Sequence, residues 1–476
     1  MTSHPESDVA HEEPSFDSGV HSKELLDDGK TVTVTFEEND SRNPMNFSQR
    51  RKWVMTVMGC SFTILVAASA TSYPMGFPTM IPELNCTEYQ ATLGLSIEEF
   101  GRQPLYIVST IVYMLMHLMM ALAPNIQTVI VARLLQGAVG STGATVVAGT
   151  ITDLWATHEV GLPMAIFSTL GIAANGMGAV AAGWVDMDTR LGWRWIQWLH
   201  LIITGVYCIL VPIILKETRA SILLLKMADE LRKKNPGVNY RVKAYEIKPS
   251  FRTLMWISCS RPIYLLCTEP IVISNSLWIG FAWGIFYCMI QSVPGLFETL
   301  YMFNNGAVGT VFATMVVGSV IGFFTNLCQE RLYARNFSKR GPEGRLYLAF
   351  VAAFLFPVAM FIYAWTARPD VHWIAPVIGI TIYMWATYTI YLAVFAYLAD
   401  CYGVYASSAL AGQSLSRNIM GAAFPLFTQV MFRNLTYKWA NTLFACIAVL
   451  MIPIPYILFV YGPIIRGWSK FSQKLS

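Results

Sequence analysis

Charged residues are scarce in this chain. Only 13% of its 476 residues are Asp, Glu, Lys or Arg, whereas 55% are hydrophobic. A soluble globular protein carries about 25% charged residues, so this composition excludes a protein that is solvated mainly by water. The nine cysteines are scattered without paired metal-ligand spacing, and we expect them to be small buried residues rather than a zinc site.

Catalytic signatures are missing as well. The sequence has no His/Asp/Glu cluster, nucleophile motif or phosphate-binding loop where an active site could form, so we expect neither an enzyme nor a cofactor or metal. Residues 1–52 are polar and lack the apolar stretch and cleavage site of a signal peptide, and their composition predicts a disordered tail. The net charge of +4 gives no reason to expect a nucleic-acid partner.

Long apolar runs make up most of the remaining sequence. Windows of about 20 apolar residues predict an all-α polytopic membrane protein, because an open sheet would leave backbone groups unpaired in lipid. The eleven predicted spans are 53–73, 104–123, 126–150, 163–184, 195–215, 268–290, 307–327, 346–366, 372–399, 405–431 and 440–463.

Basic residues in the loops predict the orientation. Arg50–Lys52 precede the first span, and the segment 216–267 between the fifth and sixth spans is strongly basic. Cytosolic loops carry such an excess of Lys and Arg, so we expect both termini, including the tail 464–476, to lie in the cytosol. Two sequons on the opposite side make Asn85 and Asn434 candidate glycosylation sites. The motif alone is weak, since sequons also occur in segments predicted to be cytosolic.

The basic segment divides the spans into two halves, an N-terminal bundle over 53–215 and a C-terminal bundle over 268–463. Many transporters consist of two similar bundles with the substrate site between them. The N-terminal bundle has five spans rather than six, and the interval between its first and next span is about one helix shorter than the matching C-terminal interval. Residues 74–97 contain prolines and acids that disfavour a crossing. We therefore predict that a second helix is missing before Glu98.

Six short motifs carry a family resemblance. They are Asn43–Ser48, Glu98–Pro104, Arg133–Gly137, Gly171–Gly183, Gly341–Tyr347 and Ser407–Asn418. Together they resemble the fungal drug:proton antiporters of the major facilitator superfamily, in its twelve-helix branch of polyamine and multidrug exporters. Glu98–Pro104 is similar to the family's loop between helices two and three, and Gly171–Gly183 to its fifth-helix antiporter motif. One departure is Gly178-Ala179, where the family motif has Gly-Pro.

The resemblance implies a two-bundle fold and a function. The expected function is proton-coupled export of small organic molecules, such as drugs, toxins or polyamines, by alternating access. The expected partners are that substrate, protons and the lipid bilayer of the plasma membrane, and we expect a monomer. The alternative is a non-transporting protein, either a truncated isoform or a mis-spliced gene model of such a transporter. A polytopic enzyme is the weakest of the three interpretations.

The resemblance also names candidate residues for proton coupling or for the substrate cavity: Arg133, Gln136, Arg417 and Asn418. Arg133 lies about 10 Å into its span at 1.5 Å per residue, where a guanidinium normally faces a cavity or a partner. Its alternative is an Arg that reaches the interface with its long stem. Arg417 either belongs to a polar helix face that lines the pathway or lies near an interface. We expect His117 and His200 to be ordinary helix residues.

Two further groups of residues have expected roles. Charged residues at helix ends are candidates for an ion-pair latch that holds one conformation, and small residues permit close helix packing. The latch candidates are Glu98, Gly101, Arg102, Asp153 and Asp400. The packing candidates are Gly137, Gly140, Gly171, Gly176, Gly178 and Gly183.

Overall fold

A computed structural model of the chain describes residues 31–36, 40–75, 103–155, 159–188, 190–234, 239–242 and 251–472. Four of the predicted site residues lie outside these ranges: Asn85, Glu98, Gly101 and Arg102. Most of the stretch in which we predict a missing helix also lies outside them. That prediction therefore remains a prediction.

The described N-terminal half is α-helical. Its helices are α1 (Gln49–Met75), α2 (Gln103–Ala121), α3 (Ile126–Gly140), α4 (Thr142–Leu154), α5 (Gly161–Asp186) and α6 (Gly192–Ile214). The helices α3 and α4 together occupy the single span predicted over 126–150. Asn125 begins α3, because its side-chain oxygen accepts a hydrogen bond from the backbone N–H of Thr128 at 2.9 Å.

A small separate unit consists of residues before 49 together with residues 217–249. Its elements are the strand β1 (Thr31–Thr33), the helix α7 (Ala220–Lys234) and the strand β2 (Asn239–Arg241), and the two strands pair in parallel. Val34 and Tyr240 pack against Met227 and Ala228 of α7. These segments were predicted as tail and loop. The alternation of Thr and Val over 31–35 is a strand signal that a search for membrane spans passes over.

The C-terminal half continues as helices. They are α8 (Phe251–Thr268), α9 (Pro270–Tyr301), α10 (Asn305–Val311), α11 (Ala313–Arg340), α12 (Tyr347–Thr366), α13 (Ile374–Tyr402), α14 (Ala406–Met451) and α15 (Pro453–Trp468). The helix α8 occupies the end of the segment predicted as the central loop. A break at Thr436, with φ of 63°, interrupts α14, and it lies between the two spans predicted over 405–431 and 440–463.

Eight helical runs of the described residues are long and apolar enough to cross a membrane. Two of them, Asn305–Thr366 and Ala406–Trp468, contain 62 and 63 residues. Because about 20 residues suffice for one crossing, each of these two runs holds more than one predicted span. The prediction of an all-α polytopic membrane protein is confirmed.

The helices of both halves pack into one compact unit. Within it α1 packs against α5, and α9 packs against α14. The helix α5 also packs against α10 and α11 of the C-terminal half. We call this contact between the halves the seam. It places α5, the helix that carries the predicted antiporter motif, against the other bundle.

Candidate functional site

Arg133 is held inside the N-terminal half by a network of uncharged groups. Its side chain is 5% exposed, and Nη1 donates to Gln136 Oε1 at 2.8 Å and to Ser69 Oγ at 3.3 Å. The guanidinium also lies over the ring of Tyr73, 4.1 Å from its centroid. The guanidinium is therefore directed into the protein interior in this conformation. Arg133 and Gln136, predicted separately to face the cavity, are direct partners.

The network continues from Gln136 to a buried histidine. Gln136 Nε2 lies 2.8 Å from His117 Nε2, and His117 Nδ1 lies 3.0 Å from Gln197 Oε1. Because Gln136 Oε1 already accepts from Arg133, its amide nitrogen must donate to the imidazole. The donor–acceptor order then assigns the His117 proton to Nδ1, where it is donated to Gln197. Neutral His117 therefore connects Gln136 of α3 with Gln197 of α6.

A second imidazole lies against the first. The His200 ring stacks on His117 with centroids 5.1 Å apart, and its Nε2 lies 3.1 Å from Ser72 Oγ. Ser72 donates its own proton to Ala68 O, so it accepts from His200. Both histidines were predicted to be ordinary helix residues, yet they join α2, α6 and α1 through polar contacts. Their position inside apolar spans is the sequence signal that could have singled them out.

Arg417 lies in a different environment in the C-terminal half. Its guanidinium carbon is 4.9 Å from the ring centroid of Trp283 and 5.4 Å from that of Tyr391. The two rings are themselves 5.7 Å apart. Arg417 is half-buried, while its neighbour Asn418 is exposed. The structure therefore brings Arg417 to aromatic residues of α9 and α13 and leaves Asn418 outside this group.

Tyr287 of α9 packs closely against α14 at Gly421. Gly421 of α14 allows this close packing, because a Cβ there would lie 3.0 Å from the Tyr287 ring and 3.4 Å from Trp283.

Glycines line α5 where it meets its neighbours. A Cβ at Gly176 would lie 2.5 Å from Phe312 O, and one at Gly183 would lie 2.6 Å from Asn305 O. A Cβ at Gly178 would overlap Ala68 of α1. Only a residue without a side chain permits these approaches. Gly171 lies in looser contact with α1.

The remaining small residues of the N-terminal half lie away from the seam. A Cβ at Gly140 would lie 3.1 Å from the Tyr113 ring and 3.3 Å from Val66, so this position backs onto α2 and α1. Gly137 is half-buried on α3. The packing candidates thus divide into those between helices of one bundle and those, Gly176 and Gly183, between bundles.

Polar contacts also tie the seam. Asn305 Nδ2 donates to Asp186 Oδ2 at 2.8 Å and to Met75 O at 3.1 Å. Trp184 Nε1 donates to Thr310 Oγ1 at 3.1 Å. These contacts occur together where α5 ends and α10 begins. They join the two halves at one end of the helices.

Asp400 takes part in a charged cluster at the end of α13. Arg345 Nε and the Tyr333 hydroxyl each donate to Asp400 Oδ2 at 2.8 Å, and Arg345 Nη1 donates to Glu330 at 2.8 and 2.9 Å. The Arg345 guanidinium also lies over the Tyr333 ring, 3.6 Å from its centroid. Only Asp400 of these four was singled out from the sequence. Arg345 lies in the motif Gly341–Tyr347, whereas Glu330 and Tyr333 lie on α11 and had no predicted role.

A second ion pair lies beside this cluster. Arg466 of α15 donates to Glu343, with the shortest distance at 2.9 Å, and Glu343 is 1% exposed. In the N-terminal half, Asp153 is half-buried at the end of α4, but its predicted partners Glu98 and Arg102 lie outside the described residues. Asn434, the described sequon, is exposed two residues before the break in α14. No group of three or more metal-ligating side chains occurs among the described residues.

Comparison with known proteins places the chain among transporters. The Aspergillus terreus efflux pump atB is 32% identical to this chain, with 98% of this chain and 96% of that protein covered. The Candida albicans major facilitator superfamily multidrug transporter FLU1 is also 32% identical, over 79% of this chain and 63% of that protein. The Aspergillus fumigatus multidrug transporter mdrA is 29% identical over 96% of this chain and 80% of its own length.

Solved structures share the fold. The xylose transporter XylE from E. coli, in a partially occluded inward open conformation, has a TM-score of 0.57 at 14% identity, with 87% of this chain and 99% of that chain covered. A bacterial homologue of the human lysosomal transporter Spinster has a TM-score of 0.56 at 12% identity, covering 89% and 100%. The family description "Major Facilitator Superfamily" matches residues 89–420. The chain is a membrane transporter that belongs to the Major Facilitator Superfamily.

Proposed function

We propose that the protein exports small organic molecules from the cell by alternating access, driven by protons that move inward. The Aspergillus terreus relative favours export, because efflux is the activity that its name states. The expected site lies between the two bundles, where transporters of paired bundles bind their substrates. Plasma-membrane location and cytosolic termini remain part of the proposal.

The observation that carries the proposal is the seam. Gly176 and Gly183 bring α5 into direct backbone contact with the C-terminal half, and such glycine contacts allow two helices to slide without interlocking side chains. The polar contacts of Asn305 hold this contact at one end, and the Arg345–Asp400 cluster holds helix ends of the C-terminal half. A few charge-assisted hydrogen bonds suffice to bias a two-state equilibrium.

Proton coupling would act through the network around Arg133. The chain has no acid in the first helix, α1, so a carboxylate there cannot carry the proton. The connected groups Arg133, Gln136 and His117 respond together to any added charge, because each hydrogen bond fixes the orientation of the next. We assign to Arg133 and Gln136 the role of sensing proton or substrate charge.

Flux into proteoliposomes tests the proposal. Purified protein is reconstituted, and the uptake of labelled small organic molecules of either charge is measured with and without an imposed pH gradient. We expect the gradient to accelerate uptake. Equal flux in the two conditions would remove proton coupling from the proposal while leaving transport intact.

The non-transporting alternative has its own support. The alignments to two relatives extend over 483 and 487 positions, more than the 476 residues of this chain, so this chain lacks residues that they contain. Sequencing the transcript across the codons for Ile97 and Glu98 would reveal any omitted coding sequence. A matched protein with the second helix of the A. terreus relative inserted at this point provides the control. Transport by that protein alone would establish the alternative.

A further inference from the structure

The helix α7 of the small unit has two faces of different character. Its apolar residues recur at intervals of three and four, which places them on one side of a helix: Leu224, Met227, Ala228 and Leu231. They pack in one cluster with Val34 and Tyr240, which lie beside and on the two strands. This apolar face of α7 is therefore covered within the small unit.

The opposite face of α7 is basic and exposed. Arg219, Lys226 and Lys233 are exposed and follow one another at intervals of seven residues, about two turns of an α-helix, so they share one side. Arg219 immediately precedes α7, and its carbonyl oxygen accepts a hydrogen bond from the backbone N–H of Leu223, which keeps it in register with the helix. Lys226 lies about 160° around the helix from Leu224 of the apolar face. We call Arg219, Lys226 and Lys233 the basic face.

The basic face has no counter-charge within the small unit. Its three cations form no ion pair in the part of the chain that the structure describes. Two of the three acids between 216 and 234 have other partners: buried Glu217 accepts from two backbone N–H groups at 3.1 and 2.9 Å, and Asp229 pairs with Arg232 at 2.8 Å. Only Glu230 is left exposed near the basic face, so this face keeps an excess of positive charge.

The chain tethers α7 to the end of a membrane span. The apolar helix α6 ends at Ile214, and α7 begins at Ala220. Six residues of fully extended chain cover at most about 20 Å, so the covalent connection keeps the start of α7 within that distance of the end of α6. Exposed Lys216 adds a further positive charge inside the connection. A basic helix with so short a tether is within reach of lipid headgroups.

Anionic headgroups supply the charge that the basic face lacks. The cytosolic leaflet carries anionic lipids, and each Lys or Arg near such a surface strengthens binding about fivefold. The attraction fades beyond a Debye length of about 8 Å at physiological ionic strength, so only a surface held near the bilayer benefits from it. Clusters of about four to eight basic residues next to a span are typical of lipid recognition. Five exposed basic residues follow α6 here: Lys216, Arg219, Lys226, Lys233 and Lys234.

We propose that the basic face of α7 binds the anionic lipid headgroups of the membrane leaflet at which α6 ends. The partner is the bilayer surface, and the contacts are charge-assisted hydrogen bonds from guanidinium and ammonium groups to phosphate and carboxylate oxygens. The binding involves neither the helices of the seam nor the network around Arg133, so it is independent of export and of proton coupling. It gives a role to a segment whose basic residues predicted orientation only.

Backbone hydrogen exchange of α7 tests the inference. The full chain is placed in nanodiscs of phosphatidylcholine, alone or mixed with phosphatidylserine, and exchange over residues 220–234 is followed by mass spectrometry. A partner that binds only the folded helix slows its opening by the factor by which it stabilises the helix. We expect exchange to be about tenfold slower with phosphatidylserine, since several basic residues contribute, and we expect high salt to remove the difference.

Two triple variants locate the effect. The first replaces the basic face by Arg219→Gln, Lys226→Gln and Lys233→Gln. The second is the control and changes three exposed basic residues of α11: Arg331→Gln, Arg335→Gln and Lys339→Gln. Both variants lower the charge of the chain equally, but only the first changes α7. We expect the first to exchange alike in the two bilayers, at the rate of the unchanged protein in phosphatidylcholine, and the control to keep the slowing by phosphatidylserine.

Several results would overturn the inference. These are equal exchange of the unchanged protein in the two bilayers, slowing that persists in the first variant, or slowing that is lost in both variants. Inorganic phosphate added to phosphatidylcholine nanodiscs is a further arm, and slowing equal to that by phosphatidylserine would indicate a phosphate site rather than a bilayer surface. If the first variant already exchanges faster in phosphatidylcholine, the salt series of the unchanged protein decides, because slowing that survives high salt is not electrostatic.

Discussion

The two bundles hold a membrane-embedded arginine in different ways. Arg133 in the N-terminal bundle donates hydrogen bonds into a chain of side chains that ends at Gln197. Arg417 in the C-terminal bundle lies against Trp283 and Tyr391. A hydrogen-bonded guanidinium is fixed in direction, whereas one on ring faces can shift across them at little cost. We infer that Arg133 is held rigidly, whereas Arg417 is held adaptably.

The largest effect is expected when Arg133 is removed. Arg133→Leu leaves Gln136 Oε1 and Ser69 Oγ without their donor, and each buried group left unpaired costs about 1–3 kcal/mol. We expect a lower Tm in detergent and a loss of transport of about 100-fold, since 1.4 kcal/mol corresponds to a factor of ten. Thermal unfolding and initial flux rates give the two numbers.

Arg417→Leu is the matched change in the other bundle. It removes a charge but leaves no hydrogen-bond acceptor unpaired among the described neighbours, and replacing an unpaired charge by an apolar group is often stabilising. We therefore expect Tm to stay constant or rise while transport falls about tenfold. If Arg417→Leu lowers Tm as much as Arg133→Leu does, the two arginines are held alike and the comparison fails.

The next largest effect on transport is expected from a change in the charged cluster at the end of α13. Asp400→Asn removes the charge that faces Arg345 and Tyr333, and a hydrogen bond to a charged group contributes about 1.5–3 kcal/mol. If the cluster stabilises only one conformation, transport should slow about tenfold with substrate affinity nearly unchanged. Flux measured at saturating and at low substrate concentrations separates the effect on transport rate from the effect on substrate affinity.

Asp153→Asn is the N-terminal counterpart of that change. Asp153 lies at the end of α4, as Asp400 lies at the end of α13. Similar slowing by both variants would favour a latch in each bundle. Slowing by Asp400→Asn alone would restrict the latch to the C-terminal bundle, and no slowing by either would refute it.

Much of this organisation follows from composition, but the site does not. The spans were predictable because lipid permits only long apolar helices, and α12 matches its predicted range within one residue at its start. Arg133 and Arg417 stood out because charge is rare at such depth. Their partners did not, since Ser69, Gln197 and Trp283 are common residues whose meeting depends on how helices pack. The strand β1 was missed because its partner lies about 200 residues away in the chain.

A smaller change, of the side-chain amide of Gln136 to a carboxylate, tests the network around Arg133. Gln136→Glu places a carboxylate at the position that now accepts from Arg133 at 2.8 Å, so the guanidinium gains a counter-charge within the protein. The change also removes the N–H that Gln136 donates to His117 Nε2, so this contact survives only when His117 carries a second proton. We expect transport by Gln136→Glu to decrease as the pH rises, which flux measured over a series of pH values would show. Gln136→Met, of similar length but without charge, is the control. A pH profile of flux equal to that of the unchanged protein would contradict a role of this network in transport.

The smallest effect is expected at the seam, where the two bundles meet rather than differ. Asn305→Ala removes the hydrogen bonds to Asp186 and Met75 O, each with a net contribution of about 0.5–1.5 kcal/mol. Because these bonds join the halves at one end of α5, their loss should shift the population toward a separated arrangement about fivefold. Spin labels at the exposed positions Asp188 and Met302, in a cysteine-free background, would report the distance distribution by double electron–electron resonance. Thr310→Ala, which removes the contact with Trp184 alone, should shift the population less. An unchanged distribution in both variants would mean that the glycine contacts of α5, rather than these polar bonds, hold the bundles together.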